Sequence, residues 1–312
     1  MPFWIWIIII AVIVFGVLPL PILGFYLYSV LLVRTSKKKW GRECSIPDDE
    51  EYKRMFDIGI AWDKEYASYK TPVEVVSDGF KLVGEYFDFG SDTSVIIIAG
   101  RMESLLYSYY FAEPYRRLGY NILVIDNRAH GLSEGRFLSL GFNEYRDILR
   151  WGELLHDRFR QKSIVIHGIC IGSSVGLFAL CAPECPDYFR GMVAEGMYTT
   201  FHDSFVNHLI DGNHSKEPAT FFVMHYIRLF TGADVVHDGP LYRIDKLKKP
   251  ILFIHSKEDV FSLPEEVQRV YDRCQSEKKL VWFDKGAHSR VRVNAPERYD
   301  ETVIDFFTDL DI

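Results

Sequence analysis

The stretch SIVIHGICIGSSVG, residues 163–176, carries the chemistry that is easiest to read. An apolar run at 164–167 passes directly into Gly168-Ile169-Cys170-Ile171-Gly172 and then into a segment of helical character. A nucleophile held on a sharp strand-to-helix turn needs small residues two positions to either side, because the backbone there is crowded and its dihedrals are strained. Cys170 would then stand at a helix amino terminus, where the local positive potential favours thiolate over thiol. Gly172-Ser173-Ser174-Val175-Gly176 is a competing match to the G-x-S-x-G pattern, but Ser174 would already lie a full turn, ~6 Å, into the helix. The spacing favours Cys170 over Ser174, and the plain alternative for Cys170 is a buried, inert small hydrophobe.

Such a turn requires a strand before it and a helix after it, and the chain supplies both repeatedly. Short apolar runs (95–99, 121–125, 164–167, 191–195, 251–255 and 280–283) alternate with longer amphipathic stretches. Runs of this kind are expected for strands covered on both faces by helices. Helices are expected over 143–160 and, each opening on a proline, over Pro264–Cys274 and Pro296–Leu310. Val73–Val76 and Leu82–Phe89, around the turn Ser77-Asp78-Gly79, predict an antiparallel opening. The expectation is an α/β fold with a mostly parallel sheet over 73–312, a lead-in with weak helical periodicity over 36–72, and a helical cap inserted at about 196–248. Insertions after strand carboxyl ends overlie the ligand crevice. Phe221, Phe222 and Tyr226 therefore either line a substrate pocket or dock the cap on the core.

At this point the chain resembles the α/β-hydrolase superfamily. That resemblance implies a nucleophile, an acid and a histidine in chain order, the acid after a late strand and the histidine after the last. ILFIHSKED ends in Asp259, with Glu258 beside it as a possible substitute, and LVWFDKGAHSR contains Gly286-Ala287-His288. By resemblance His288 exchanges a proton with Cys170 and the leaving group while Asp259 fixes its tautomer. DNRAHGLS, residues 126–133, is similar to a segment found after the fourth strand in many members. Cysteine as nucleophile is a minority choice there, similar to dienelactone hydrolases and a bile-acid and acyl-CoA acyltransferase branch. The loop after the third strand, usually His-Gly, reads Ala99-Gly100-Arg101-Met102-Glu103. An oxyanion hole needs only backbone N–H groups, expected from Ile171 and from Arg101 or Met102. The Arg101 side chain either binds an anionic group in the pocket or pairs at the surface.

The resemblance implies an esterase- or thioesterase-like hydrolase working through an acyl-cysteine, with no metal or organic cofactor and a small-molecule acyl substrate, lipophilic or peptide. Acyl transfer, peptidase activity and a catalytically silent binding or scaffold role stay open. The 312-residue chain, 48% hydrophobic with a net charge of −7, excludes disordered, collagenous and general nucleic-acid-binding classes. Five cysteines in no pairing pattern suit a reducing compartment, and Cys181 and Cys185 lack the companions of a zinc site. Residues 1–33 contain no Asp, Glu, Lys, Arg or His. Phe3–Val33 is long enough to be expected as a single transmembrane anchor (1–35) or, less simply, a re-entrant hairpin. Arg34, Lys37, Lys38, Lys39 and Arg42 would then hold the carboxyl-terminal domain on the cytoplasmic side.

Overall fold

The computed structural model describes residues 2–312. Eight strands form one sheet: β1 Lys70–Ser77, β2 Phe80–Phe87, β3 Thr93–Ile98, β4 Asn121–Ile125, β5 Ser163–Ile169, β6 Phe189–Glu195, β7 Ile251–Ser256 and β8 Lys278–Phe283. Their spatial order is β1-β2-β4-β3-β5-β6-β7-β8. β1–β2 and β2–β4 pair antiparallel and every other neighbour is parallel. The central strands β3, β4 and β7 are buried at every residue, which is why they read as continuous apolar runs rather than as alternating ones.

The helices before the sheet are α1 Phe3–Val12, α2 Pro19–Leu32 and α3 Glu50–Glu65, with a π-helical turn Ile13–Val17 between the first two. Between β3 and β5 come the short α4 Leu105–Ser108 and α5 Glu113–Arg117, then α6 Tyr145–Phe159; α7 Ile171–Leu180 follows β5. The segment between β6 and β7 holds α8 Phe201–Asp211, α9 Ala219–Thr231 and α10 Pro240–Arg243. The last three are α11 Pro264–Arg273, α12 Val291–Asn294 and α13 Pro296–Asp309. One apolar cluster, built on Trp151, Phe178 and Phe189, fills one face of the sheet. A second, built on Tyr109, Phe111, Tyr299 and Phe307, fills the other.

The expected transmembrane anchor is corrected. Among the described residues no helix is long and apolar enough to cross a membrane, so a single-pass membrane protein with a cytoplasmic domain is not supported. The apolar run breaks into ten helical residues, five of π-helix and fourteen more. At 1.5 Å per residue the longest piece spans about 21 Å, against ~30 Å of hydrocarbon. Pro19 and Pro21 open the last piece, where proline is tolerated because the first-turn N–H groups have no acceptor. Hydropathy cannot distinguish a lipid-facing helix from one that packs on its own chain. One edge of α2 does the latter: Tyr28 and Leu32 are fully buried, in a cluster with Tyr198, Phe201, Phe205, Val223, Met224 and Ile227 of the segment between β6 and β7, while Ile22, Leu23, Tyr26 and Val30 stay exposed.

Candidate active site

Cys170 lies between β5 and α7 with φ 54° and ψ −117°, a conformation that costs a non-glycine residue of order 1–3 kcal/mol and that the surroundings must enforce. Its N–H donates to the Glu195 carbonyl at 2.9 Å and its own carbonyl accepts from Ser173 N–H at 3.0 Å. The flanking glycines are steric necessities: a Cβ at Gly168 would stand 2.4 Å from the Gly172 carbonyl, and one at Gly172 would stand 2.2 Å from the Ile98 carbonyl oxygen. This close approach sets the first turn of α7 against the loop that leaves β3. Among the described residues the N–H groups of Ile171, Arg101 and Met102 donate to no backbone acceptor. Ser174 is wholly buried inside α7.

His288 follows Gly286, whose φ of 116° turns the chain after β8. Its Nδ1 is 2.7 Å from Asp259 Oδ2, and the ring is 12% exposed. Asp259 is held in turn by the N–H groups of Phe261 and Ser262, each 2.9 Å from Oδ1. Glu258 does not compete, because its carboxylate accepts from Gly286 N–H and fixes the histidine loop instead. Burial pushes the Asp259 carboxyl up, but the charge of His288 and its hydrogen bond outweigh this and hold it at about 2. Burial likewise pulls His288 down, and the Asp259 charge, the Cys170 sulfur and hydrogen bonds to both hold the imidazolium well above the usual histidine range.

Arg101 and Met102 leave β3 in a loop anchored from several sides. His130, from the DNRAHGLS segment, places Nε2 2.5 Å from the Arg101 carbonyl oxygen, and Ser45 Oγ donates to the Met102 carbonyl at 2.7 Å. The Arg101 guanidinium donates to the Leu31 carbonyl of α2 at 3.1 Å. Phe221, Phe222 and Tyr226 are not brought to Cys170. Phe221 is 63% exposed, Phe222 packs on Gly24, and the Tyr226 hydroxyl donates to the Pro21 carbonyl. The face of α9 that turns to the core carries Val223, Met224 and Ile227 instead.

Several groups around the site have no motif to announce them. Glu103 is buried, accepting from Gly100 N–H at 2.8 Å and from the Tyr52 hydroxyl of α3. Phe261 stacks on His208 of α8, centroids 3.6 Å apart, and meets the His288 ring edge-to-face. Beneath the turn, Glu195 is fully buried and accepts from the Tyr299 hydroxyl at 2.6 Å, while its other oxygen has no partner among the described residues. Tyr299 and Tyr115 lie 3.0 Å from the two nitrogens of His167. Burial, with a smaller contribution from Arg292, brings His167 down to about 3. The ring is therefore neutral, and the chain of hydrogen bonds runs in one direction toward Glu195. Among the described residues no cluster of side chains suits a metal ion.

A model of the alpha/beta hydrolase fold matches residues 93–214. An esterase of Pyrococcus furiosus is 26% identical, with a TM-score of 0.68 over 79% of this chain and 93% of that one. The chain has the alpha/beta hydrolase fold. An acylaminoacyl peptidase of Pyrococcus horikoshii shares the fold at 21% identity, a TM-score of 0.57, 77% of this chain and 41% of that one. YqkD, an uncharacterized protein of Bacillus subtilis, is 27% identical over 219 residues, 70% of this chain and 72% of its own. Within this fold Cys170 stands on the strand-to-helix turn, and Asp259 and His288 stand on loops after β7 and β8.

Proposed function

We propose that the protein is an acyl hydrolase in which Cys170, His288 and Asp259 act as a triad on an ester, thioester or amide. The observation that carries this reading is a strained Cys170 on the strand-to-helix turn (φ 54°) whose sulfur supports the charge of a histidine 2.7 Å from a buried carboxylate. The esterase and peptidase likenesses support the hydrolase class. In the first half-reaction the Cys170 thiolate attacks the carbonyl carbon, and the oxyanion is met by the N–H groups of Ile171 and of Arg101 or Met102. The tetrahedral species collapses, the bond to the leaving group breaks, and the His288 imidazolium supplies the leaving group's proton. In the second half-reaction water attacks the acyl-cysteine, His288 accepts the water's proton, and the thiolate departs. Met102, Tyr198, Phe201 and Phe205 share an apolar cluster with Cys170, which suits an acyl group better than a small polar one.

An acyl-phosphonate or thiol-directed probe is expected to label the wild-type protein and the Ser174→Ala variant and to spare Cys170→Ala. Labelling that survives in Cys170→Ala and disappears in Ser174→Ala would transfer the role to the serine.

A further inference from the structure

Residues 44–52, which run into the first turn of α3, touch two separate loops of the candidate site. On one side the Arg290 guanidinium meets Asp49 as a fork, with Nη1 3.0 Å from Oδ1 and Nη2 2.8 Å from Oδ2. Arg290 N–H donates to the Ala287 carbonyl at 3.0 Å and so closes the turn that carries His288. Asn294, at the end of α12, donates to Glu51 at 3.2 Å. On the other side the Tyr52 hydroxyl donates to Glu103, whose second oxygen accepts from Gly100 N–H at 2.8 Å. Arg101 and Met102, the expected oxyanion donors, are the two residues that this carboxylate bridges, and Ser45 Oγ holds the Met102 carbonyl. The Tyr52 ring joins the two sides, its centroid 5.3 Å from the Arg290 guanidinium carbon. Asp49 is also the N-cap of α3, accepting from Tyr52 N–H at 3.0 Å, so both ties share the start of one helix. That helix lies directly on the backbone it follows: a Cβ at Gly59 would stand 3.1 Å from the Leu106 carbonyl oxygen and 3.1 Å from Tyr110 N.

We infer that Asp49 and Tyr52 are positioning residues for acyl hydrolysis, bracing the His288 turn and the loop 100–103 against α3 and so fixing the separation between the imidazole and the oxyanion donors. The inference rests on the acyl-hydrolase reading of the same site. Asp49 acts through Arg290 and Tyr52 through Glu103. A forked guanidinium–carboxylate pair fixes orientation as well as distance, and a misplacement of about 1 Å in a reacting geometry costs on the order of 10²-fold in rate. A brace works only with both ends attached. Releasing either end frees the separation, and releasing the second then costs nothing more, whereas two independent local contacts would multiply their effects.

The test uses Asp49→Asn, which keeps an N-cap and loses the charged fork, and Tyr52→Phe, which keeps the ring and loses the hydroxyl. With p-nitrophenyl hexanoate, well below the melting temperature of each protein, each single variant is expected to lower kcat about tenfold with KM within about twofold. The double variant should fall no further than the worse single one. Wild-type kcat in either single variant, a loss confined to KM, or a double variant lowered by the product of the two overturns the inference. Hydrogen exchange gives a second reading that does not depend on turnover: Asp49→Asn is expected to quicken residues 286–294 and Tyr52→Phe residues 99–104. Unchanged exchange in both segments overturns the inference as well. An active wild-type protein with unaffected variants sinks the brace and leaves the hydrolase. A wild-type protein inert on the ester sinks the hydrolase, and the brace then stands or falls on exchange.

Discussion

Asp259 does two jobs for His288, orienting Nδ1 through the 2.7 Å contact and raising the ring's affinity for its proton. The Asp259→Asn variant removes the charge and leaves the shape. Under the acyl-hydrolase proposal, kcat is expected to fall by a factor on the order of 10²–10⁴. The alkaline limb of the rate profile should also move down toward ~6.5, the ordinary histidine value. A profile whose alkaline limb stays put would separate Asp259 from the histidine's titration. Glu195 acts on stability rather than on the histidine. Burial raises its carboxyl to about 7, with the Tyr299 hydrogen bond opposing. The folded state therefore binds a proton that the unfolded state has released, and stability declines as pH rises from ~4.3 to about 7 and is level above that. Glu195→Gln should flatten this slope in urea titrations, with a gain on the order of 3 kcal/mol at pH 8. Neither Glu195, Glu103 nor Tyr198 was legible in the sequence, because each reaches the site through long-range packing and none belongs to a local pattern. The positions of Cys170, Asp259 and His288 on the fold were legible because each follows a strand run in a recognisable loop.

Among the elements, the strands were the most readable, since burial on both faces leaves no polar position to blur an apolar run. The cap aromatics were less so: periodicity places Phe221, Phe222 and Tyr226 on α9 but does not say which neighbour their face meets. For Phe222 and Tyr226 that neighbour is α2, while Phe221 stays exposed, and the fit depends on one small residue. A Cβ at Gly24 would lie 2.2 Å from Phe222 Cβ, so Gly24→Ala must push the two helices apart. Amide exchange is expected to quicken across α2 and α9 while β3 and β5 keep their protection, which hydrogen-exchange mass spectrometry resolves by segment. Unchanged exchange in α2 would show that the helix is held elsewhere.

At the scale of the molecule, the apolar amino-terminal segment was misread because composition alone suits both a bilayer and a protein groove. Its docked half contributes Tyr28 and Leu32 at full burial, Leu32 worth about 1.5–3 kcal/mol and Tyr28 less, because its buried hydroxyl has no partner among the described residues. A chain beginning at Arg34 should therefore melt lower, bind a dye such as ANS, and expose Phe201, Phe205 and Met224, the residues left uncovered. An unchanged melting temperature would mean that α2 adds nothing to the fold. The chain order of this contact also matters before folding is complete. Tyr226 meets Pro21 across 205 residues, and ribosomes add roughly 5–20 residues per second. α2 emerges, therefore, about 10–40 s before the helix that meets its buried edge exists. Throughout that interval the docking edge of α2 is as open as Ile22 and Leu23 remain in the finished fold, and Tyr28 and Leu32 wait for a partner that the chain supplies later.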